Sequence, residues 1–320
     1  MKQLFFLLVS FAMVGCSATL SPEILKQTYE QHNQEFDKNN HYKEYQVPQG
    51  RHHLYAREFN KDQEGKAPTI LLMHGFPDSL HLYDELIPYL KTNHVIAFDF
   101  LGWGASDKPL NHHYNSKSLY SDIETVVNYF HLKDTILVVH DASGPVGIDW
   151  AIAHPKRVNK LVLLNTYYQP MARLVPPEAI KRFSTSGTYR DISVQLSLNS
   201  DSAWIDGFSE QIEKFMVNEE KRDHYTKLLT YQSLGIRNAF FELNRVLLDE
   251  MREHQKNLAQ LKAFKKPVAI VFGADDPYLN VYVAKEFYKM FPNRTLKLVK
   301  NAGHYVQVDQ AREVAEAILE

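Results

Sequence analysis

Residues 135–147 read TILVVHDASGPVG. The first six form an apolar run rich in β-branched side chains, a pattern that suits a strand buried on both faces. The run ends at His140, and Asp141 follows on the turn. Ala142, Ser143 and Gly144 are small, as a strand must be when it reverses tightly into a helix packed against it. Helical spacing then continues over 144–154. A strand that delivers a carboxylate onto a sharp turn before a helix sets the frame for the rest of the chain.

Similar apolar runs occur at 69–73 (TILLM), 95–99 (VIAFD), 161–165 (LVLLN), 268–272 (VAIVF) and 295–299 (TLKLV). Helical segments are expected at 79–91, 116–131, 281–291 and 310–319, and an antiparallel edge strand at 52–59. Alternating strands and helices imply an α/β fold with a mostly parallel sheet covered on both faces. The alternation breaks once. Residues 167–262 contain no strand-like run and carry helical spacing instead, with Trp204, Ile205, Phe208, Ile212, Phe215 and Met216 on one face. This stretch reads as a helical insertion between two strands of the sheet, a lid over the site.

Ligands of open parallel sheets bind at the carboxyl ends of the strands. Asp141, Asp276 (in FGADDP) and His304 (in NAGH) all follow strands directly. An ionised Asp141 can attack carbon without first losing a proton, which gives an ester that a His304–Asp276 pair hydrolyses with activated water. Ser143 is the alternative nucleophile, but the small-x-Ser-x-small pattern would place Asp141 and Pro145 at its small positions. His74-Gly75-Phe76-Pro77 follows an earlier strand. The backbone N–H groups of Phe76 and Ala142 are the expected oxyanion donors. His74, Gly75 and Pro77 support that loop, Pro77 through a cis bond. Asp99, in DFLGWGASDKP, reads as structural.

These motifs together resemble the α/β-hydrolase superfamily, in the branch of epoxide hydrolases and haloalkane dehalogenases. The resemblance rests on HGFPDS (74–79), DFLGWGASDKP (99–109), VVHDASGPVG (138–147), RVNKLVLLN (157–165), FGADDP (272–277) and NAGH (301–304). It implies an α/β-hydrolase core in two parts, 44–166 and 263–320, with 167–262 as the cap. It also implies an Asp141–Asp276–His304 triad, with Asp276 chosen over Asp275 by its spacing from Gly273. No cofactor and no metal is implied.

Departures from the branch bear on substrate. Dehalogenases carry a Trp after the nucleophile to bind halide; here the residue is Ala142, and Phe76 is apolar as well. Residues 142–148 also lack the arginines that hold a carboxylate in fluoroacetate-type enzymes. Epoxide hydrolases protonate the leaving oxygen with cap tyrosines. The nearest match to their Asn-Trp-Tyr-Arg motif is Asn238-Ala239-Phe240-Phe241, which has no phenol. Tyr167, Tyr168, Tyr231 and Trp204 are the candidate substrate-binding residues. The leading expectation is an epoxide hydrolase-like enzyme acting on small neutral apolar substrates. A haloalkane dehalogenase-like enzyme, a non-catalytic lipoprotein binding an apolar ligand and a Ser143 esterase remain open beside it.

The N-terminus carries an address. Residues 1–16, MKQLFFLLVSFAMVGC, combine Lys2 with the uncharged run Leu4–Gly15. That run falls well short of the roughly 20 residues that span a bilayer, and it reads as a signal peptide, residues 1–15. Met13-Val14-Gly15-Cys16 resembles a bacterial lipobox, which implies a lipid on Cys16 as membrane anchor. Ser17 after it fits the outer membrane. Residues 16–43 read as a polar tether with one short helix, N-capped by Ser21 ahead of Pro22. The whole chain of 320 residues is 44% hydrophobic and 23% charged, with one cysteine, which excludes disordered, disulfide-framed and multi-Cys metal proteins. Lys plus Arg is 36 and Asp plus Glu 38, so nothing points to nucleic acid. A small-molecule substrate is the expected partner, and the oligomeric state is left open.

Overall fold

The computed structural model describes residues 20–320, so the signal-peptide and Cys16 readings lie outside the described residues. Its strands are β1 (Tyr42–Gln49), β2 (His52–Phe59), β3 (Thr69–Met73), β4 (Val95–Phe98), β5 (Thr135–Asp141), β6 (Val158–Thr166), β7 (Val268–Gly273) and β8 (Arg294–Val299). They form one sheet in the order β1-β2-β4-β3-β5-β6-β7-β8. Strands β3 to β8 are parallel, and β2 meets β4 antiparallel. β3 and β7 are buried along their whole length, as expected for strands with helices on both faces.

The helices are α1 (Pro22–Asn39), α2 (Ser116–Tyr129), α3 (Ser143–Ala153), α4 (Glu178–Ser184), α5 (Thr188–Asn199), α6 (Asp201–Phe215), α7 (Glu219–Ser233), α8 (Arg237–His254), α9 (Leu258–Ala263), α10 (Val281–Met290), α11 (Val306–Asp309) and α12 (Ala311–Leu319). Helices α4 to α9 all lie between β6 and β7. In α6 the apolar residues Trp204, Ile205, Phe208, Ile212 and Phe215 make the buried face, as their spacing requires. Among the described residues no helix is long and apolar enough to cross a membrane.

Three elements differ from the sequence expectation. Residues 79–91 form two separate 3-10 turns, Leu80–Tyr83 and Ile87–Tyr89, instead of one helix. Pro88 opens the second turn; deeper in a continuous α-helix its ring would clash with the preceding turn and remove a donor. The strand expected at the edge, 52–59, is β2 and lies inside the sheet between β1 and β4; the edge is the added strand β1, paired with β2 from Tyr42↔Phe59 to Gln49↔His52. Charged Lys43 and Glu44 hide its apolar alternation, and Pro48 is tolerated because the strand is an edge. Helix α1 runs for 18 residues and is no short element. Ser21 Oγ accepts the Ile24 N–H at 3.3 Å, and Leu25 and Phe36 are buried against the body. Each such burial contributes about 1.5–3 kcal/mol, enough to seat the helix.

Candidate active site

Asp141 ends β5 with φ of +47°, a left-handed backbone that costs a non-glycine residue on the order of 1–2 kcal/mol. Its side chain lines the cavity. The turn is held from below by Ser143, whose hydroxyl accepts the His140 N–H at 2.9 Å and reaches the carbonyls of Met73 (2.9 Å) and His140 (2.8 Å). Ser143 is fully buried and does not line the cavity. Two glycines make room for this packing. A Cβ on Gly144 would lie 1.7 Å from Thr166 Oγ1, and one on Gly75 would lie 2.7 Å from Asp141 Cβ.

The loop 74–77 reaches the elbow from β3. Phe76 N–H donates to Asp141 Oδ2 at 3.3 Å, and the adjacent Ala142 N–H also favours the charge on that carboxylate. The Phe76–Pro77 bond is cis. His74 braces the loop: its Nδ1 lies 2.6 Å from the Gly75 carbonyl, and its Nε2 accepts the Phe100 N–H at 3.3 Å. Asp99 is tied to backbone, accepting from Leu80 and Ala105 at 2.7 Å each.

Across the cavity, His304 Nδ1 lies 3.0 Å from Asp276 Oδ2. Asp276 is held by the N–H groups of Tyr278 (2.8 Å) and Leu279 (3.1 Å), and by Asn165 Nδ2 (2.9 Å). Asn165 in turn accepts the Gly273 N–H at 2.7 Å, which locks the acid to β7. Burial opposes a charge on His304, but the hydrogen bond and charge of Asp276, then Asp141 and Asp78, outweigh it and push its pKa up to about 9. Asp141 is raised by burial, against the pull of His304 and the two N–H donors.

Asp78 is the residue that sequence reasoning missed. It lines the cavity next to the 74–77 loop, and burial pushes its carboxyl up to about 7. Tyr305 Oη donates to it at 3.4 Å. Its only sequence signal was position, one residue beyond Pro77, as Tyr305 is one beyond His304. Asn165 likewise ends a quoted motif without having been given a role.

The cavity holds about 330 Å³. Its floor is Asp141, Ala142, Phe76 and His304, and its walls are mainly apolar: Leu174, Ile180, Phe215, Leu243, Leu247 and Met251. Of the four predicted substrate-binding residues, Tyr167 lines it and the others do not. Tyr168 turns behind the wall and donates to Asp149 Oδ1 at 2.6 Å. Trp204 points into the cap core, its Nε1–H bonded to Ser233 Oγ at 2.8 Å. Tyr231 faces α1, its ring centroid 5.0 Å from that of Tyr29. The polar tips of Tyr168 and Trp204 thus found partners inside the helical layers instead of at the cavity.

An elbow of this geometry on this sheet defines the class. Residues 68–311 match the alpha/beta hydrolase fold family, and the chain belongs to it. It is 28% identical over 272 residues to a putative hydrolase, LipZ, of Mycobacterium tuberculosis, which covers 82% of this chain and 91% of that one. It is 29% identical over 275 residues to a haloalkane dehalogenase of Mycolicibacterium paratuberculosis (79% of this chain, 82% of the relative). The solved structure of the epoxide hydrolase CorEH superposes with a TM-score of 0.65 at 19% identity, covering 87% of this chain and 97% of that one.

Proposed function

We propose that this protein is a hydrolase that forms a covalent ester on Asp141 and acts, epoxide hydrolase-like, on small neutral apolar substrates. The observation that carries the proposal is the carboxylate of Asp141, on a strained elbow and facing two backbone N–H donors, with His304–Asp276 across the cavity. Ser143, its hydroxyl spent on Met73 and His140, has no path to a substrate.

In the first step an Asp141 oxygen attacks a ring carbon, the C–O bond of the epoxide breaks, and Tyr167 protonates the departing oxygen. Burial, then the charge of Asp141, holds the Tyr167 phenol far above its ordinary pKa, so it is a neutral donor. His304 rests protonated among Asp276, Asp141 and Asp78 and returns that proton to Tyr167 through water. Esterification also removes the Asp141 charge, which lowers the pKa of His304 and leaves it a neutral base. His304 then takes a proton from water as the hydroxide adds to the Asp141 carbonyl carbon. The oxyanion sits on the N–H groups of Phe76 and Ala142. Collapse expels the diol, which takes its proton from the new Asp141 carboxyl, and Asp141 is left ionised with one oxygen from water.

A halide leaving group needs N–H donors on its far side. The relatives named as haloalkane dehalogenases favour that second reading, whereas Ala142 and the Phe76 side chain offer no donor. A single turnover in oxygen-18 water, followed by mass spectrometry of the peptide holding Asp141, tests the covalent route: label in Asp141 is expected, and turnover that leaves Asp141 unlabelled sinks it. Diol formation against halide release over a panel of terminal epoxides and haloalkanes decides the leaving group.

A further inference from the structure

A second cluster of chemistry-bearing side chains lies away from the cavity, where α1, the 3-10 turn Leu80–Tyr83 and cap helix α7 meet. His32 Nε2 lies 2.7 Å from Asp84 Oδ2, and His81 Nδ1 lies 2.5 Å from the same oxygen. One ligand atom from each of the three falls within 4.8 Å of the others. None of the three lines the cavity. His32 belongs to α1, and His81 and Asp84, three residues apart, belong to the loop after β3.

Two features point to more than a pair of hydrogen bonds. The first is convergence: two imidazole nitrogens and one carboxylate oxygen meet at one buried point. The side chains of His81 and Asp84 are 3% and 4% exposed and that of His32 is 11% exposed. Donors on one tetrahedral ion at ~2.0–2.2 Å sit roughly 3.3–3.5 Å apart. The two imidazole–carboxylate gaps therefore need to widen by less than about 1 Å to admit one. The second is the outer partner. His32 Nδ1 faces His224 Nε2 of α7 at 2.9 Å, which fixes the ring; with a metal on Nε2 the His32 proton sits on Nδ1 and is donated to His224 Nε2. The other carboxylate oxygen, Asp84 Oδ1, turns to Arg57, 3.9 Å away, and leaves Oδ2 to the imidazoles.

We propose that His32, His81 and Asp84 form a site for one borderline divalent cation of the Zn²⁺ type, which fastens the N-terminal helix to the core beside the cap. Two imidazoles and a single carboxylate favour Zn²⁺, Co²⁺ or Ni²⁺ and disfavour Mg²⁺ and Ca²⁺, which want an oxygen cage. The fourth position is left to water. Because the ion joins α1 to the loop that holds His81 and Asp84, 52 residues from His32 to Asp84 along the chain, it stabilises the docked state of α1 and takes no part in the reaction at Asp141.

The test is a calorimetric titration of chelator-stripped full-length protein with ZnCl₂, paired with thermal melts. One saturable equivalent, a raised Tm and no such response to MgCl₂ are expected. His32→Gln and His81→Gln should each weaken binding by more than tenfold. His224→Gln, which leaves all three ligands in place, should weaken it about tenfold through the outer partner. His32 stands at the rim of the cluster, so His32→Gln is the variant most certain to fold, and circular dichroism of the zinc-free proteins checks each one. Absorption of the Co²⁺ form in the visible, with the intensity of a tetrahedral site, is the second readout. Absence of saturable binding, or an affinity unchanged in both His32→Gln and His81→Gln, overturns the proposal and reduces the cluster to a hydrogen-bonded clasp. Neither result depends on what happens at Asp141.

Discussion

The core and the cap build the two halves of the cavity in opposite ways. On the core side both carboxylates of the candidate site stand at or just past strand ends and are held by backbone: Asp141 by Phe76 and Ala142, Asp276 by Tyr278 and Leu279. On the side of the helical insertion the wall is mostly aliphatic, and some of its polar residues are engaged elsewhere, as Asn244 Nδ2 is with the Phe240 carbonyl at 2.8 Å. Groups fixed by backbone keep their geometry whatever the side chains around them, whereas an aliphatic wall is reshaped by one substitution. On the proposed mechanism the reaction class therefore resides in the core, and the choice of substrate in the helical insertion.

Tyr167 and Tyr168 make the same contrast at the seam, since adjacent phenols face opposite sides of the wall. The largest effect is expected from Asp141→Ala, which should lower kcat on the order of 10⁴-fold or more while the protein stays folded. Residual turnover near wild type would move the chemistry away from the elbow. Next, His304→Gln should retain the burst of ester formation but lose hydrolysis by roughly 10³-fold, so that intact mass spectrometry catches the alkylated protein. The wild-type pH profile bears on the same residue. His304 acts as base only when neutral, so the hydrolytic step should rise with pH through an inflection below about 9, because the ester removes one of the anions that raise it.

Tyr167→Phe is expected to cost about 10²-fold in epoxide opening and little in displacement of a leaving group that needs no proton. An equal loss on both substrate types would show that the phenol only shapes the wall. Tyr168→Phe should leave kcat unchanged and lower stability by about 1 kcal/mol through its lost bond to Asp149, measured by urea unfolding. Ser143→Ala should act similarly, costing about 1–3 kcal/mol of stability for the buried carbonyls it abandons. A loss of catalysis in that variant beyond its loss of stability would return the serine to consideration.

The elbow was legible because its signals are local. An apolar run, a polar residue on the turn and three small residues occupy ten consecutive positions, and strand periodicity places their order on the sheet. β1 was missed because an edge strand need bury only one face, so Lys43 and Glu44 interrupt any apolar run. The cap was legible as helices but not as faces towards the ligand. Trp204 has the spacing of a buried residue whether the buried side meets substrate, as was expected, or Phe208 and Ser233, as it does. Asp78 escaped notice since an acid beside a loop motif looks solvent-facing until the cap closes over it.

By itself the sequence determined the α/β alternation, the interruption by a helical insertion and the residue types offered at three strand ends, for each depends on patterns within a few turns of chain. Only the tertiary structure decided which tyrosine meets the cavity, that Ser143 points inward, that Asp78 joins the site, and that His32, His81 and Asp84 converge. Those outcomes depend on how helices rotate and pack against elements distant in sequence, and neither helical nor strand periodicity records which neighbour a buried face will meet.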